Sequence, residues 1–531
     1  MIILLSIFLL LIGAAAIYFV PTEQRYLRIL SSLFPVAALG ILLAPINLPT
    51  TFSISWLPAQ LFPEPPIFRA DLSAVSFSIY LCGLLIAIEW TRPLRRSPVR
   101  LARVLVYLLA ISGIVAVSAS NVLATAVSWA WIDFLCLLAV LFLNRTVEID
   151  AHGVSPSIHN SLSFFAINML GTILMVLPAL QSSHASLMDW SLVWNKNPTD
   201  LSLFIFLAGV TLRLVIAPLQ FTYSRLKTGS TGAEILLRIL PAVAVLSLLA
   251  KAWPPQLGLL SGAMLSLWSY LFFMLVALMA GLQWWISSSS YERRELFCLL
   301  VPIFALLAAF LSPGMDHLFL AAGGTLILGT GIVFLYSGFL PHRGWLAAFL
   351  LVWAVLFSGF PFSPMSQWIV HIYSNFTSPV SLAAALPLLI VHILILSSVL
   401  RLTFESAEEF PSNEPIFLFL YSLGMSVSLA VIIFPGWGAP VTFFSAVFPV
   451  VLLATGVAFW YISRRIQRIN ASLSGFLETL FRLHWLQNAL VVIFGQLSNG
   501  ISALESFLSG EGVMLWSLGI ALLLLLAFRG G

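Results

Sequence analysis

Residues 206–220, FLAGVTLRLVIAPLQ, set one arginine, Arg213, in an apolar run five residues ahead of Pro218. Residues 127–138, VSWAWIDFLCLL, do the same with Asp133, which has apolar neighbours for two turns on either side. Long apolar runs that each carry one isolated charge decide the class. Within a bilayer core such a charge is costly, and it persists only when paired or hydrated. The rest of the chain agrees. Of its 531 residues 60% are hydrophobic and 8% charged, against about 25% charged in soluble proteins. A span takes about 20 mostly apolar residues, so this content suffices for roughly fifteen or sixteen of them. The sequence reads as an all-α polytopic membrane protein embedded in a lipid bilayer. Nucleic-acid binding, a large extramembrane catalytic domain and a disordered tail are excluded by the same arithmetic. The net charge of +4 then reports loop orientation.

Sixteen apolar runs read as spans, at about 2–20, 28–46, 71–90, 101–118, 121–143, 160–180, 201–224, 232–252, 257–287, 296–312, 317–338, 345–372, 380–402, 415–435, 440–462 and 511–528. No basic residue precedes the first run, and Arg25 and Arg28 follow it, so it reads as a retained helix with its N-terminus outside. Threading the runs alternately puts eighteen Lys and Arg on one side and four on the other, with Arg213 and Arg238 inside spans. That asymmetry makes the basic side cytoplasmic. Residues 47–70, within the N-terminal unit 1–100, hold five prolines and predict a hairpin or extended cap on the outer face. Residues 464–510 intersperse Arg468, Glu478, Arg482 and Gln487 with an apolar face. They predict an amphipathic helix along the cytoplasmic interface, or a plain surface helix, before the last span at 511–528.

Few ionisable residues lie within spans. Glu234 and Arg238, in GAEILLRILPAV, are spaced i and i+4 in the favourable order for an ion pair. They read either as part of a proton path or as an interfacial pair whose arginine snorkels. His317 begins a span and His392 lies inside one. Each is a candidate relay, or a hydrogen-bonded packing residue. Asp133 and Arg213 have opposite charges and are natural partners. Cys82, Cys136 and Cys298 all sit in apolar runs without metal-ligand spacing, so neither a disulfide framework nor a metal site is signalled. Pro218 interrupts the seventh span, and Pro361 and Pro364 interrupt the twelfth, in LFSGFPFSPMSQWIV. Broken spans in corresponding places of two halves point to inverted repeats. The five-span offset predicts one five-helix repeat over 101–252 and a second, inverted, over 257–402, with spans 14 and 15 at 415–462.

These motifs together resemble the antiporter-like membrane subunits shared by respiratory complex I, Mrp cation/proton antiporters and membrane-bound hydrogenases. RADLSAVSFSIYL (69–81) looks like that family's Asp-x-Leu-Ser-Ala opening of span three, and NVLATAVSWAWIDFLCLL (121–138) like its span five. LAGVTLRLVIAPLQFTYSRL (207–226) with STGAEILLRILPAV (230–243) resembles the broken span seven and the start of span eight. SSYERR before ELFCLL (295–300) is similar to the Asp-x-Lys-Arg-Leu-Leu loop, and VLFSGFPFSPMSQW (355–368) to the break in span twelve. GEGVMLWSLGIALLLLL (510–526) looks like the last span of longer members. The resemblance covers roughly residues 70–400 through the order and spacing of these motifs, and implies a divergent member.

The resemblance places the family's span-five Glu at Ala130, one turn before Asp133, and its span-seven Lys at Arg213. Its span-eight His falls on Arg238, its span-eleven Lys near Ala321, and its span-twelve charge near Trp368 or Ile369. Lysine can lose its proton when buried and arginine effectively cannot. The reading that follows is a membrane-arm subunit of a multi-subunit complex translocating protons or Na+/K+, with an altered proton path. Its partners would be other integral membrane subunits. It would carry no cofactor, and any NADH-quinone-oxidoreductase-like or hydrogenase-like redox chemistry would belong to those partners. The alternatives are a degenerate, non-conducting scaffold subunit and the membrane subunit of an energy-coupled inorganic-carbon uptake system. The implied location is a bacterial plasma membrane.

The topology is directly testable by cysteine labelling of intact cells. A cysteine engineered near Lys196 is expected to react with an impermeant reagent, and one near Arg96 to stay protected. The reverse pattern overturns the assignment.

Overall fold

A segment without water around it must satisfy its backbone N–H and C=O groups internally, which helices do. The structure, a computed structural model, describes residues 2–19, 24–44, 48–53, 65–91, 100–143, 156–181, 190–194, 198–214, 231–259, 263–286, 290–311, 316–336, 344–361, 363, 365–366, 372–373, 379–405, 415–433, 443–469, 492 and 496. Nearly all of these are helical.

The first helices are α1 (Ile2–Phe19), α2 (Gln24–Leu42), α3 (Leu72–Thr91), α4 (Arg100–Ser118), α5 (Val122–Leu143), α6 (Pro156–Gln181), the single turn α7 (Trp190–Val193), α8 (Asp200–Arg213) and α9 (Thr231–Ala252). They are followed by α10 (Met264–Ile286), α11 (Ser290–Leu311), α12 (Asp316–Tyr336), α13 (Gly344–Phe357), α14 (Pro379–Glu405), α15 (Pro415–Ile433) and α16 (Phe443–Ile469). Among the described residues ten helices are long and apolar enough to cross a membrane. Residues 1–478 form one compact unit; of the second unit, 479–531, only residues 492 and 496 are described.

Packing follows the chain order with one recurring pattern. Helix α4 packs on α5 and α9, and α5 packs on α6 and α9; α10 packs on α11 and α14, and α11 on α12 and α14. The two groups meet where α9 lies along α12, and α3 packs on α4, α12 and α15. Two basic residues tie helix ends together within these groups. Lys251, in the last turn of α9, donates to the Val117 and Ala119 carbonyls at the end of α4, at 2.7 and 3.1 Å. Arg401, near the end of α14, donates to the Trp285 carbonyl at the end of α10, at 2.6 Å. Each satisfies C-terminal carbonyls that have no partner within their own helix.

Within 47–70, β1 (Thr50–Ser53) and β2 (Ile67–Ala70) pair as antiparallel strands, with Thr50 opposite Ala70, and residues 54–64 lie outside the described residues. Asn121 fixes the pair to the bundle. Its Oδ1 accepts from Ile67 N (3.1 Å) and from Ala124 N (2.9 Å), capping α5, while Nδ2 donates to the Pro65 carbonyl (2.9 Å). Asp71 caps α3 in the same way, accepting from Ala74 N at 2.7 Å.

Several predicted bounds shift. The run 257–287 begins its helix only at Met264, because Pro254 and Pro255 open a 3-10 turn over Pro255–Leu257 instead. The second helix starts at Gln24 and ends at Leu42, four residues earlier at each end than its run. Residues 464–469, read as the start of an amphipathic segment, continue α16. Apart from residues 492 and 496, the remainder of 464–510 and the span 511–528 lie outside the described residues.

Two helices stop short. Helices α8 and α13 have 14 residues each, roughly 21 Å at 1.5 Å per residue, against a hydrocarbon core of about 30 Å. Helix α13 ends at Phe357, and two residues later Gly359 takes φ 88°, a left-handed conformation that glycine adopts without a Cβ penalty. Helix α8 ends at Arg213, with Leu214 N donating to the Val210 carbonyl at 2.9 Å. Pro218, with the rest of 215–230, lies outside the described residues, as does Pro364; Pro361 sits in the turn after α13.

Close approach of α6 and α8 depends on paired glycines. A Cβ on Gly209 would lie 2.8 Å from the Gly171 carbonyl oxygen and from Met175 N, both backbone atoms that cannot swing aside. Gly209→Ala is therefore expected to lower stability by about 1–3 kcal/mol, the usual cost of overpacking. Gly40→Ala, where a Cβ meets nothing within 4 Å, should instead be neutral or stabilise by up to about 1 kcal/mol. Thermal unfolding of the two variants in detergent checks the contrast.

Candidate functional site

The glycine contact brings the last turn of α8 against the middle of α6, one turn from Arg213. Arg213 is fully buried, and its guanidinium is the junction of three helices. Nη1 donates to Asp133 Oδ2 of α5 at 2.8 Å and Nη2 to Asp133 Oδ1 at 3.2 Å, a two-pronged pair. Nη1 also donates to the Asn168 carbonyl (3.1 Å) and to Thr172 Oγ1 (2.5 Å), which flank Gly171 on α6. Thr172 in turn donates to the Asn168 carbonyl at 3.0 Å. The Trp129 ring covers the guanidinium face, its centroid 4.3 Å from Cζ. Trp129 and Asp133 lie one turn apart on the inner face of α5, while Val127, Trp131 and Phe134 point outward and are exposed.

Chemically this site is a clamp. Asp133 and Arg213 both have side-chain exposures of 0%. Removing either charge leaves the other unpaired in an apolar interior. The planar fork matches both carboxylate oxygens, and the ring face supplies a cation–π contact. Arginine keeps its proton under all ordinary conditions, so the clamp holds a carboxylate without exchanging protons through its cation.

A second cluster joins α9 to α11. Arg238 Nη2 donates to Glu234 Oε1 at 2.8 Å, and Nη1 is hydrogen-bonded to Glu295 Oε1. Phe334 of α12 lies under the guanidinium, its ring centroid at 5.4 Å. Glu234 and Arg238 thus form the expected i,i+4 pair, and Glu295 is a partner that sequence reasoning missed. Its signal was present: it is the last charge of SSYERRELFCLL, directly before the helix turns wholly apolar. Glu89 was missed as well. It is buried near the end of α3, where Oε2 accepts from Ser31 Oγ of α2 at 2.8 Å. Tyr107 of α4 donates to the Ser31 carbonyl, which closes that corner.

His392 lies in the second group of helices and far in sequence from both clusters. Its Nε2 is 3.0 Å from the carbonyl of Phe357, the last residue of α13. A carbonyl oxygen only accepts, so Nε2 carries the hydrogen. The ring packs against Phe304 and Phe357, with centroids at 5.2 and 5.5 Å. The imidazole thus holds the end of the short helix. His317 is half-buried at the start of α12. Ala321 is buried in α12, so no ionisable group stands there; Trp368 and Ile369 lie outside the described residues. Cys82 and Cys136 are buried, and Cys298 lies 3.5 Å from Thr330 Oγ1. Among the described residues no group of three or more His, Cys, Asp or Glu side chains could hold a metal ion.

The helices and these buried charges define an all-α polytopic integral membrane protein. Its fold matches solved chains of multi-subunit membrane complexes. A chain of respiratory complex I from Thermus thermophilus with bound NADH superposes with a TM-score of 0.60 at 15% identity, over 87% of this chain and 100% of that one. A chain of the membrane-bound sulfane sulfur reductase, an archaeal respiratory membrane complex, gives 0.64 at 12% identity, over 98% and 99%. A chain of the Mrp complex from Dietzia sp. DQ12-45-1b gives 0.61 at 14% identity, covering 98% of this chain and 63% of that one. At such identities the likeness is one of fold. No family model and no curated protein matches the chain by sequence.

The two acidic partners of Arg238 differ in what they hold together. Glu295→Gln loses a link between two helices and should destabilise by about 1–3 kcal/mol. Glu234→Gln loses the charge of a pair within one helix and should cost less, about 0.5–1 kcal/mol. Denaturation of the purified variants in detergent should rank them in that order.

Proposed function

We propose that this chain is a membrane-arm subunit of a multi-subunit complex that moves protons or Na+/K+, of the complex I, Mrp and hydrogenase kind. Its N-terminus lies outside a bacterial plasma membrane, and its neighbours are other integral membrane subunits. Ten of its sixteen spans are arranged as two inverted five-helix repeats, 101–252 and 257–402. The repeated packing of α4, α5 and α9 against that of α10, α11 and α14 supports this. So do Lys251 and Arg401, each of which reaches from a fifth helix to the end of a first. So do α8 and α13, two short helices of equal length at the fourth place of each repeat.

The observation that carries the functional reading is the two-pronged Asp133–Arg213 pair at the end of the short helix α8. An ion-translocating chain needs groups that gain and lose protons in reach of ordinary pH. Here the cation is an arginine, so the pair is a fixed element where the resembled family has a switchable carboxylate and lysine. The proton path through the first repeat is altered accordingly, and Glu234 and Arg238, tied to Glu295 of the second repeat, are further members of it. A non-conducting scaffold is the second reading. It is favoured by Ala321, a buried alanine where the resemblance calls for lysine.

Reconstitution of the assembled complex into vesicles tests this. Asp133→Asn strips the arginine of its counter-charge, at a cost of roughly 3–5 kcal/mol. It is expected to lower the amount of assembled protein while leaving proton flux per assembled complex unchanged. Arg213→Lys keeps the charge and introduces a group able to deprotonate, so flux per complex should rise. If Asp133→Asn assembles normally and abolishes flux, the pair is a working relay and the fixed-pair reading fails. Zero flux in the wild-type complex would favour the scaffold.

A further inference from the structure

Of the ten long apolar helices, α16 is the least enclosed by the rest of the bundle, with 22% of its apolar window buried. Val447, Val450, Val451, Val457 and Ile462 are exposed along it, a face suited to lipid tails. The helix has 27 residues, roughly 40 Å, about 10 Å more than the hydrocarbon core accommodates. Its two ends differ: the N-terminal end is apolar, beginning at Phe443 and Phe444, whereas the C-terminal end reads WYISRRIQRI. With its basic and aromatic residues, the C-terminal end is the one suited to the headgroup layer.

That end is organised as well as basic. The Arg464 guanidinium lies over the Trp460 ring, with Cζ 4.7 Å from the centroid. Trp460 is itself fixed by tertiary packing, its ring centroid 5.0 Å from that of Phe404 on α14. The Arg465 guanidinium lies 5.5 Å from the Tyr461 centroid, and its Nη2 donates to the Tyr461 hydroxyl at 3.1 Å. Arg465 and Tyr461 are both exposed, and Arg468 follows one turn on in the helix. A guanidinium stacked on a ring turns its N–H edge outward, with the fork geometry that suits phosphate oxygens. Aromatic rings with amphipathic edges also prefer the headgroup level.

We propose that the C-terminal end of α16 is a binding site for the phosphate of an anionic phospholipid headgroup. The exposed Arg465 is its donor, Arg464 adds positive charge beside it, and Tyr461 and Trp460 hold the two in place. The lipid's acyl chains lie along the exposed valine face of the same helix. The site does not rest on the ion-translocating reading, since it needs only the helix in its bilayer.

The test uses the full-length protein in nanodiscs made from equal parts of phosphatidylglycerol and phosphatidylcholine. Native mass spectrometry then counts the lipids it retains. The wild type is expected to retain phosphatidylglycerol preferentially, less so as salt is raised. The double variant Arg464→Gln/Arg465→Gln should lose that preference on the order of twentyfold, at about fivefold per arginine near a charged surface. Arg464→Lys/Arg465→Lys keeps the charge and should retain most of it, which separates binding from misfolding. Excess inorganic phosphate should not displace the lipid; displacement would make this a free-anion site and overturn the proposal. An unchanged preference in the glutamine variant overturns it too. So does loss of a co-purifying protein with lipid retention intact, which would make this face a protein interface.

Discussion

A full positive charge in the interior of a membrane protein has to be answered on the spot, and the packing around Arg213 is the answer. Asp133 neutralises it, Thr172 and the Asn168 carbonyl take further N–H donors, and Trp129 covers the open face. These partners come from two other helices, so the pair fixes α5, α6 and α8 relative to one another. The Gly171–Gly209 approach makes that possible, because a Cβ on either glycine would push the two backbones apart. Small residues at a helix crossing and a satisfied charge one turn away are two parts of one constraint.

The same requirement recurs at three other helix ends. Lys251 and Arg401 bond carbonyls at the ends of α4 and α10, and His392 bonds the last carbonyl of α13. In a soluble protein water would complete these groups; here side chains do so. Ionisable residues whose hydrogen-bonding groups are matched across helices, Asp133 and Arg213 above all, hold the architecture.

The two short helices end on different chemistry. Both α8 and α13 stop after 14 residues. At the first stop stands a charged clamp; at the second, a histidine hydrogen-bonded to a backbone carbonyl and packed against aromatic rings. The two sites do the same structural work with different side chains. That accounts for a fold matching solved complexes at only 12% to 15% identity. Backbone geometry is set by length, small residues and apolar faces, which many sequences supply.

By itself the sequence determined the class, the order of the helices and the candidate pair. Hydropathy depends on composition along the chain alone, so α3, α4, α5 and α9 fall within two residues of the runs that predicted them. Charge isolated in an apolar run is equally local, so Asp133 and Arg213 could be singled out and matched by sign. What only the tertiary structure decided is everything that depends on proximity between distant segments. Glu295 could not be joined to Arg238 from sequence, because 57 residues separate them and no periodicity relates them. Nor could the role of Trp129 be read, since an aromatic in an apolar run looks like any other core residue until a guanidinium is laid against it. The fourteen-residue length of α8 was hidden too, because the apolar run continues past Arg213 to Pro218. Periodicity records which face a residue occupies; only packing records what it faces.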